Sequence, residues 1–197
     1  MPFPAHRYLV QRVRADRQLT PERAAELARQ WRESCTANGV VPWGVFAGLL
    51  GLRTDELLIV AAAETDDAEW PALPGLAVED GLDCRPTARP ERPEAQSRPG
   101  IYVFRTFEIA SADVDEFVRL SAEAWQTFEA APAYRAEPRA LLRADLPGAS
   151  TRMLLVTWYD GLASWERSRQ PDPEARANFE ARARLTRWAL PIATRLV

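Results

Sequence analysis

Lysine is absent from this chain, and all 25 of its basic residues are arginine. A P-loop lysine, a Schiff-base lysine and an acetylation switch are therefore excluded. Histidine is nearly absent too. His6, at the start of the first expected strand, is the one side chain able to shuttle protons near neutral pH or to ligate haem iron as an imidazole. With no second imidazole to complete a ligand set, no metal site and no cofactor are expected. There is no Gly-x-Ser-x-Gly elbow and no Gly-x-Gly-x-x-Gly turn, so neither a serine hydrolase nor a Rossmann nucleotide site is supported. The two cysteines, Cys35 and Cys84, lack any ligand-type spacing and are expected to be buried free thiols.

Long apolar runs are missing as well: no stretch approaches the roughly 20 residues of a membrane span. Met1–His6 carries no basic region leading into an apolar one, so a cytoplasmic protein is expected. The net charge is −3 with the signs interspersed, which leaves no basic stripe for nucleic acid or an anionic membrane surface. A 47% apolar, 27% charged composition is that of a chain that folds.

What is present is a repeat. Tyr8-Leu-Val-Gln-Arg-Val aligns with Tyr102-Val-Phe-Arg-Thr-Phe, and the same offset carries Trp31 onto Trp125. Glu56-Leu-Leu-Ile-Val aligns with Arg152-Met-Leu-Leu-Val at a slightly larger offset, explained by a short insertion at Pro147-Gly-Ala-Ser150. Between the copies, Pro86–Gly100 holds four prolines in fifteen residues and little apolar content, the composition of a linker. The expected organisation is a first half over residues 1–85, a linker over 86–100 and a second half over 101–197.

The second half reads as βαββαβ. A strand spans Ile101–Ile109, and a helix opened by Asp113 and Glu116 follows with the stripe Val114, Phe117, Val118, Ser121, Trp125 and Phe128. Strands at Arg139–Asp145 and Arg152–Tyr159 come next, then a short helix at Leu162–Ser168, a longer one from Pro173 to about Trp188, and a strand at Ile192–Val197. The first half gives a strand at His6–Arg14, a helix capped by Thr20, and strands at Val40–Leu50 and Leu57–Ala63. Pro71-Ala-Leu-Pro-Gly75 erodes its second helix. The fold class is α+β: two tandem ferredoxin-like halves forming a pseudo-dimeric α/β barrel.

The second half resembles the NIPSNAP family of dimeric α/β-barrel proteins. The resemblance is carried by Tyr102-Val-Phe-Arg105-Thr-Phe107-Glu-Ile followed by Asp115-Glu-Phe117, and by Leu154-Leu-Val-Thr-Trp158-Tyr159-Asp160-Gly-Leu-Ala-Ser-Trp165-Glu166. It covers about half of the chain. Trp158 and Tyr159 are adjacent where the family spaces them, Trp165 stands where the family often has arginine, and Gln11 replaces Arg105 in the first copy. The resemblance implies the barrel fold, shared by cofactor-free monooxygenases, haem enzymes, lyases and proteins without known chemistry.

Polar groups on apolar strands are the candidate site. Arg105, Tyr159 and Asp160 are expected to do chemistry, and Tyr102, Trp125, Trp158, Gln11 and His6 to contact a ligand. An arginine between Val103 and Phe107 needs a carboxylate or a ligand if buried, so a salt bridge to Glu108 or Asp160 is the alternative. Trp31, Trp43, Trp125, Trp158 and Trp165 line an aromatic pocket or simply fill the core. Two readings follow: binding or transformation of a small apolar or aromatic molecule without metal, or a non-catalytic scaffold that keeps the fold. A monomer is expected, with a weak homodimer through an exposed sheet edge as the other possibility.

Overall fold

The structure is a computed structural model and describes residues 7–72 and 75–197. It divides into two compact units. The first holds the chain up to Pro86, with Glu91–Pro99 and Ile192–Val197; the second holds Thr87–Pro90 and Gly100–Pro191.

In the first unit, β1 (Arg7–Ala15), β2 (Val41–Leu50) and β3 (Glu56–Ala63) form an antiparallel sheet. β1 pairs on its other edge with β4 (Leu76–Arg89), and β2 pairs with the last residues of β8 (Thr186–Leu196). Helix α1 (Pro21–Ala37) starts as the sequence predicts: Pro21 opens the first turn, and the Thr20 hydroxyl accepts from the Arg23 amide at 3.2 Å. Its stripe of Ala24, Leu27, Ala28, Trp31 and Cys35 packs on Val13, Val45, Leu57 and Ile59 to make the core of this unit. β3 is buried at every position, as a central strand covered on both faces must be.

In the second unit the strand order is β8, β5 (Ile101–Ala110), β7 (Ser150–Tyr159), β6 (Ala136–Ala144) and the end of β4. β5 and β7 pair antiparallel without a slip, from Ile101 opposite Tyr159 to Ala110 opposite Ser150. α2 (Val114–Ala130), α3 (Leu162–Arg167) and α4 (Pro173–Arg184) complete the unit. Phe107, Ile109, Phe117, Trp125, Leu141, Met153 and Leu155 form its core.

The α+β class and the ferredoxin-like order of each half are as expected, with three corrections. β4 was not foreseen, and it runs to Arg89, into the stretch read as linker. α4 ends at Arg184, and β8 begins at Thr186 where the sequence pattern continues the helix to Trp188. Asp113 makes no side-chain cap; a short 3₁₀ turn over Ser111–Asp113 leads into α2, and Glu116 pairs with Arg119 instead. Among the described residues there is no helix between β3 and β4, and no helix is long and apolar enough to cross a membrane.

Candidate functional site

Period-two alternation puts Val103, Arg105 and Phe107 on one face of β5, and Leu155, Thr157 and Tyr159 on the same face of β7. These six side chains form the floor of a cavity of about 840 Å³ inside the second unit. Trp125 and Phe128 of α2 and Trp165 of α3 supply aromatic wall, Phe179 and Arg182 of α4 close it from above, and Pro138 enters at a register shift between β6 and β7. A volume of this size is in the range that holds a drug-sized ligand.

Arg105 has no hydrogen bond and no ion pair with any described residue. The two acids expected to pair with it are engaged or turned away. Glu108 lies on the opposite parity of β5, accepting from the Trp188 indole N–H at 2.9 Å and pairing with Arg187 at 3.5 Å; Asp160, one residue past the end of β7, is exposed. Burial presses the Arg105 guanidinium below its usual range; nearby Tyr159 opposes this shift and the positive charge of Arg169 adds to it.

Arg182 was not singled out from the sequence. It is only 5% exposed and has no carboxylate partner among the described residues. Its Nη1 donates to the Ser121 hydroxyl at 3.1 Å, and its guanidinium lies 4.9 Å from the ring centroid of Phe179, 5.1 Å from Phe107 and 5.3 Å from Phe117. Burial, reinforced by the like charge of Arg105, pushes this guanidinium down as well. The only sequence signal is the helical stripe Ala175, Phe179, Arg182, whose third member is charged where an apolar residue would be expected.

Tyr159 is buried and its phenol is driven up by desolvation, so it stays protonated and can donate a hydrogen bond at physiological pH. The Ser168 hydroxyl sits 3.5 Å from it. The buried Trp165 Nε1 also has no acceptor among the described residues. With Arg169 and Arg176 at the exposed mouth, the lining carries four arginines against one acid, Glu180. The cavity is cationic and aromatic.

Of the expected site residues, the structure brings Arg105, Tyr159 and Trp125 together. Tyr102 and Trp158 face each other across β5 and β7 on the opposite parity; they are buried and do not line this cavity. Asp160 lies outside it, and Gln11 belongs to β1 of the first unit. His6 falls outside the described residues.

No protein-family model and no curated protein matches the chain. Solved structures do, over nearly its whole length. An anthrone oxidase-like protein aligns with 98% of this chain and 92% of its own at a TM-score of 0.63 and 14% identity. Chlorite dismutase from Candidatus Nitrospira defluvii aligns over 98% and 92%, at 0.61 and 9% identity. A heme-degrading enzyme from Listeria monocytogenes aligns over 93% and 97%, at 0.51 and 10% identity. The chain has the fold of the dimeric α/β-barrel, ferredoxin-like superfamily. At these identities the likeness is one of fold.

Heme, named for the Listeria protein, can be tested against the donors of the cavity. The described lining offers no imidazole, thiolate or thioether, and its one phenol is held neutral by burial. No group of three His, Cys, Asp or Glu residues is placed to hold a metal ion among the described residues. These residues do not fit an axially ligated haem.

Proposed function

We propose that the second unit binds, and through its own side chains transforms, a small, largely aromatic molecule. The observation that supports this best is Arg105, a half-buried cation on the cavity floor with no hydrogen-bond or ion-pair partner among the described residues. An unmatched guanidinium in a desolvated cleft is costly to the folded chain unless a ligand oxygen meets it. In this reading Arg105 anchors that oxygen, the neutral hydroxyl of Tyr159 donates a hydrogen bond or a proton, and Trp125, Phe128 and Phe179 stack against the ring system. The Asp160 carboxylate has no part in it.

The likeness to an anthrone oxidase-like protein supports an aromatic substrate, and the NIPSNAP resemblance of Arg105-Thr-Phe107 and the Trp158-Tyr159 strand end is kept as part of this proposal. An interior packed solid around a bridged Arg105 would have favoured a scaffold instead; a cavity of about 840 Å³ does not. The test is a titration of the chain with hydroxylated and carboxylated naphthalenes and anthracenes, followed by quenching of the Trp125 and Trp165 fluorescence. Saturable quenching weakened by Arg105→Ala is expected. Absence of saturation for every aromatic compound, or an identical response in the variant, would overturn the assignment.

A further inference from the structure

Two guanidinium groups in one cavity without an acid between them call for a specific kind of ligand. We infer that Arg105 and Arg182 form a clamp for a planar carboxylate, so that the molecule taken by this site is an aryl carboxylic acid bound as its anion. This rests on the reading of the cavity given above and adds its substrate class and a second binding residue.

The case starts with Arg182. Its side chain is more than nine-tenths buried, and the protein gives it one neutral acceptor, the Ser121 hydroxyl at 3.1 Å. A guanidinium has five N–H donors in a fixed fork. None of its nitrogens is both sealed from the cavity and without a partner, so the remaining donors face open space. The phenyl rings of Phe179, Phe107 and Phe117, at 4.9 to 5.3 Å, crowd the guanidinium from three sides without accepting a conventional hydrogen bond from it. Such a group is restrained before any ligand arrives, which reduces the ordering cost of binding.

Arg105 presents a second set of donors from the sheet side of the same cavity, close enough for its charge to add to the lowering of the Arg182 guanidinium. Two forks in an aromatic-walled cavity suit a flat, delocalised anion that accepts two pairs of N–H bonds. The aryl part of the ligand then lies toward Trp125 and Phe128, and Arg169 and Arg176 at the mouth draw the anion inward.

The experiment compares matched ligands on the full chain by calorimetry at pH 7: 2-naphthoate, its uncharged shape-mate 2-naphthamide, and sodium formate as the bare anion. The acid is expected to bind roughly ten- to a hundred-fold more tightly than the amide, the ratio that charge-assisted hydrogen bonds support. Arg105→Gln and Arg182→Met should each bring the ratio to within about three-fold, while Arg182→Lys, which keeps the charge and loses the fork, should fall between. If acid and amide bind equally to the unmodified chain, the clamp is wrong and the aromatic site stands. If formate binds as tightly as the naphthoate, the site takes a small inorganic-type anion and the aryl assignment fails. If none of the three binds, both this inference and the reading beneath it are wrong. The comparison of acid and amide needs no variant, so a variant that fails to fold leaves the question decidable.

Discussion

Replacing Arg182 with methionine should make the protein more stable. In the ligand-free chain this arginine is buried beside a like charge, with one hydrogen bond to Ser121 and three ring contacts against the cost of desolvating an ion. Methionine spans a similar length, keeps van der Waals contact with Phe107, Phe117 and Phe179, and adds sulfur–aromatic contacts of about 0.3–1.5 kcal/mol. Ser121 loses nothing it needs, because its hydroxyl still donates to the Phe117 carbonyl at 2.7 Å. Exchange of buried ionic groups for apolar ones of similar volume is neutral or stabilising by about 1–4 kcal/mol. For a chain of this length 1 kcal/mol moves the midpoint by roughly 2–4 °C. Thermal unfolding at pH 7 followed by circular dichroism should therefore show Tm of Arg182→Met at or above that of the parent, by up to about 16 °C. Arg182→Lys should be the less stable variant, since an ammonium is more strongly hydrated and does not stack. A drop of several degrees for the methionine variant would show that Arg182 holds the fold together, and the argument from an unmatched charge would collapse.

Three further outcomes follow from the same structure. Trp165→Phe removes a buried N–H that has no acceptor, so urea unfolding should place its stability within about 1 kcal/mol of the parent; a loss beyond about 2 kcal/mol would mean that the indole is bonded after all. Cys35, fully buried, has its thiol pushed up from 9 to about 12 by desolvation, so the unfolded chain gives up that proton first as pH rises. Stability from this group is whole below pH 9 and declines between pH 9 and 12, by at most about 1.4 kcal/mol per unit. Cys35→Ala should flatten that part of an alkaline unfolding curve relative to neutral pH, and the native thiol should not react with a disulfide reagent at pH 8. Gly100 has φ +141°, and a methyl group there would run into the Tyr159 carbonyl and the Trp158 indole. Gly100→Ala should cost on the order of 2 kcal/mol and weaken ligand binding by displacing Tyr159; an unchanged denaturation midpoint would contradict this.

The parts of the fold that could be read from sequence are those with one wet and one dry face. α2 carries its stripe through Phe117, Trp125 and Phe128 because it buries a single side. The second half of β5, from Thr106 to Ala110, alternates between half-buried and buried positions, while Ile101–Phe104 are buried on both faces and were marked as strand by their apolar run alone. β4 escaped notice for the opposite reason. Its residues from Ala77 to Gly81 are exposed on both faces, and Gly81 and Pro86 interrupt the rest, so no period-two signal survives. The end of α4 was misplaced on similar grounds. Leu185-Thr-Arg-Trp-Ala-Leu190 is largely made of acceptable helix formers, and Arg187 to Pro191 are all exposed in β8, leaving no burial pattern to mark the change from helix to strand.

The site divides along the same line. Arg105 stood out because it interrupts an apolar strand, and strand parity, applied strictly, also separates Tyr159, which shares its face of the sheet, from Tyr102 and Trp158, which do not. Asp160 was drawn in by adjacency to Tyr159, but the strand ends at Tyr159 and the next residue faces water. Arg182 could not stand out in a chain whose every basic residue is arginine, on a helix that also carries Arg176 and Arg184. Those two are exposed and Arg182 is buried, a contrast that arises only when α4 packs against Phe107 and Phe117. The identity of the second cation is thus a property of tertiary packing, and the charge balance of the cavity, on which its ligand class depends, was out of reach of any reading that treated the arginines as equivalent.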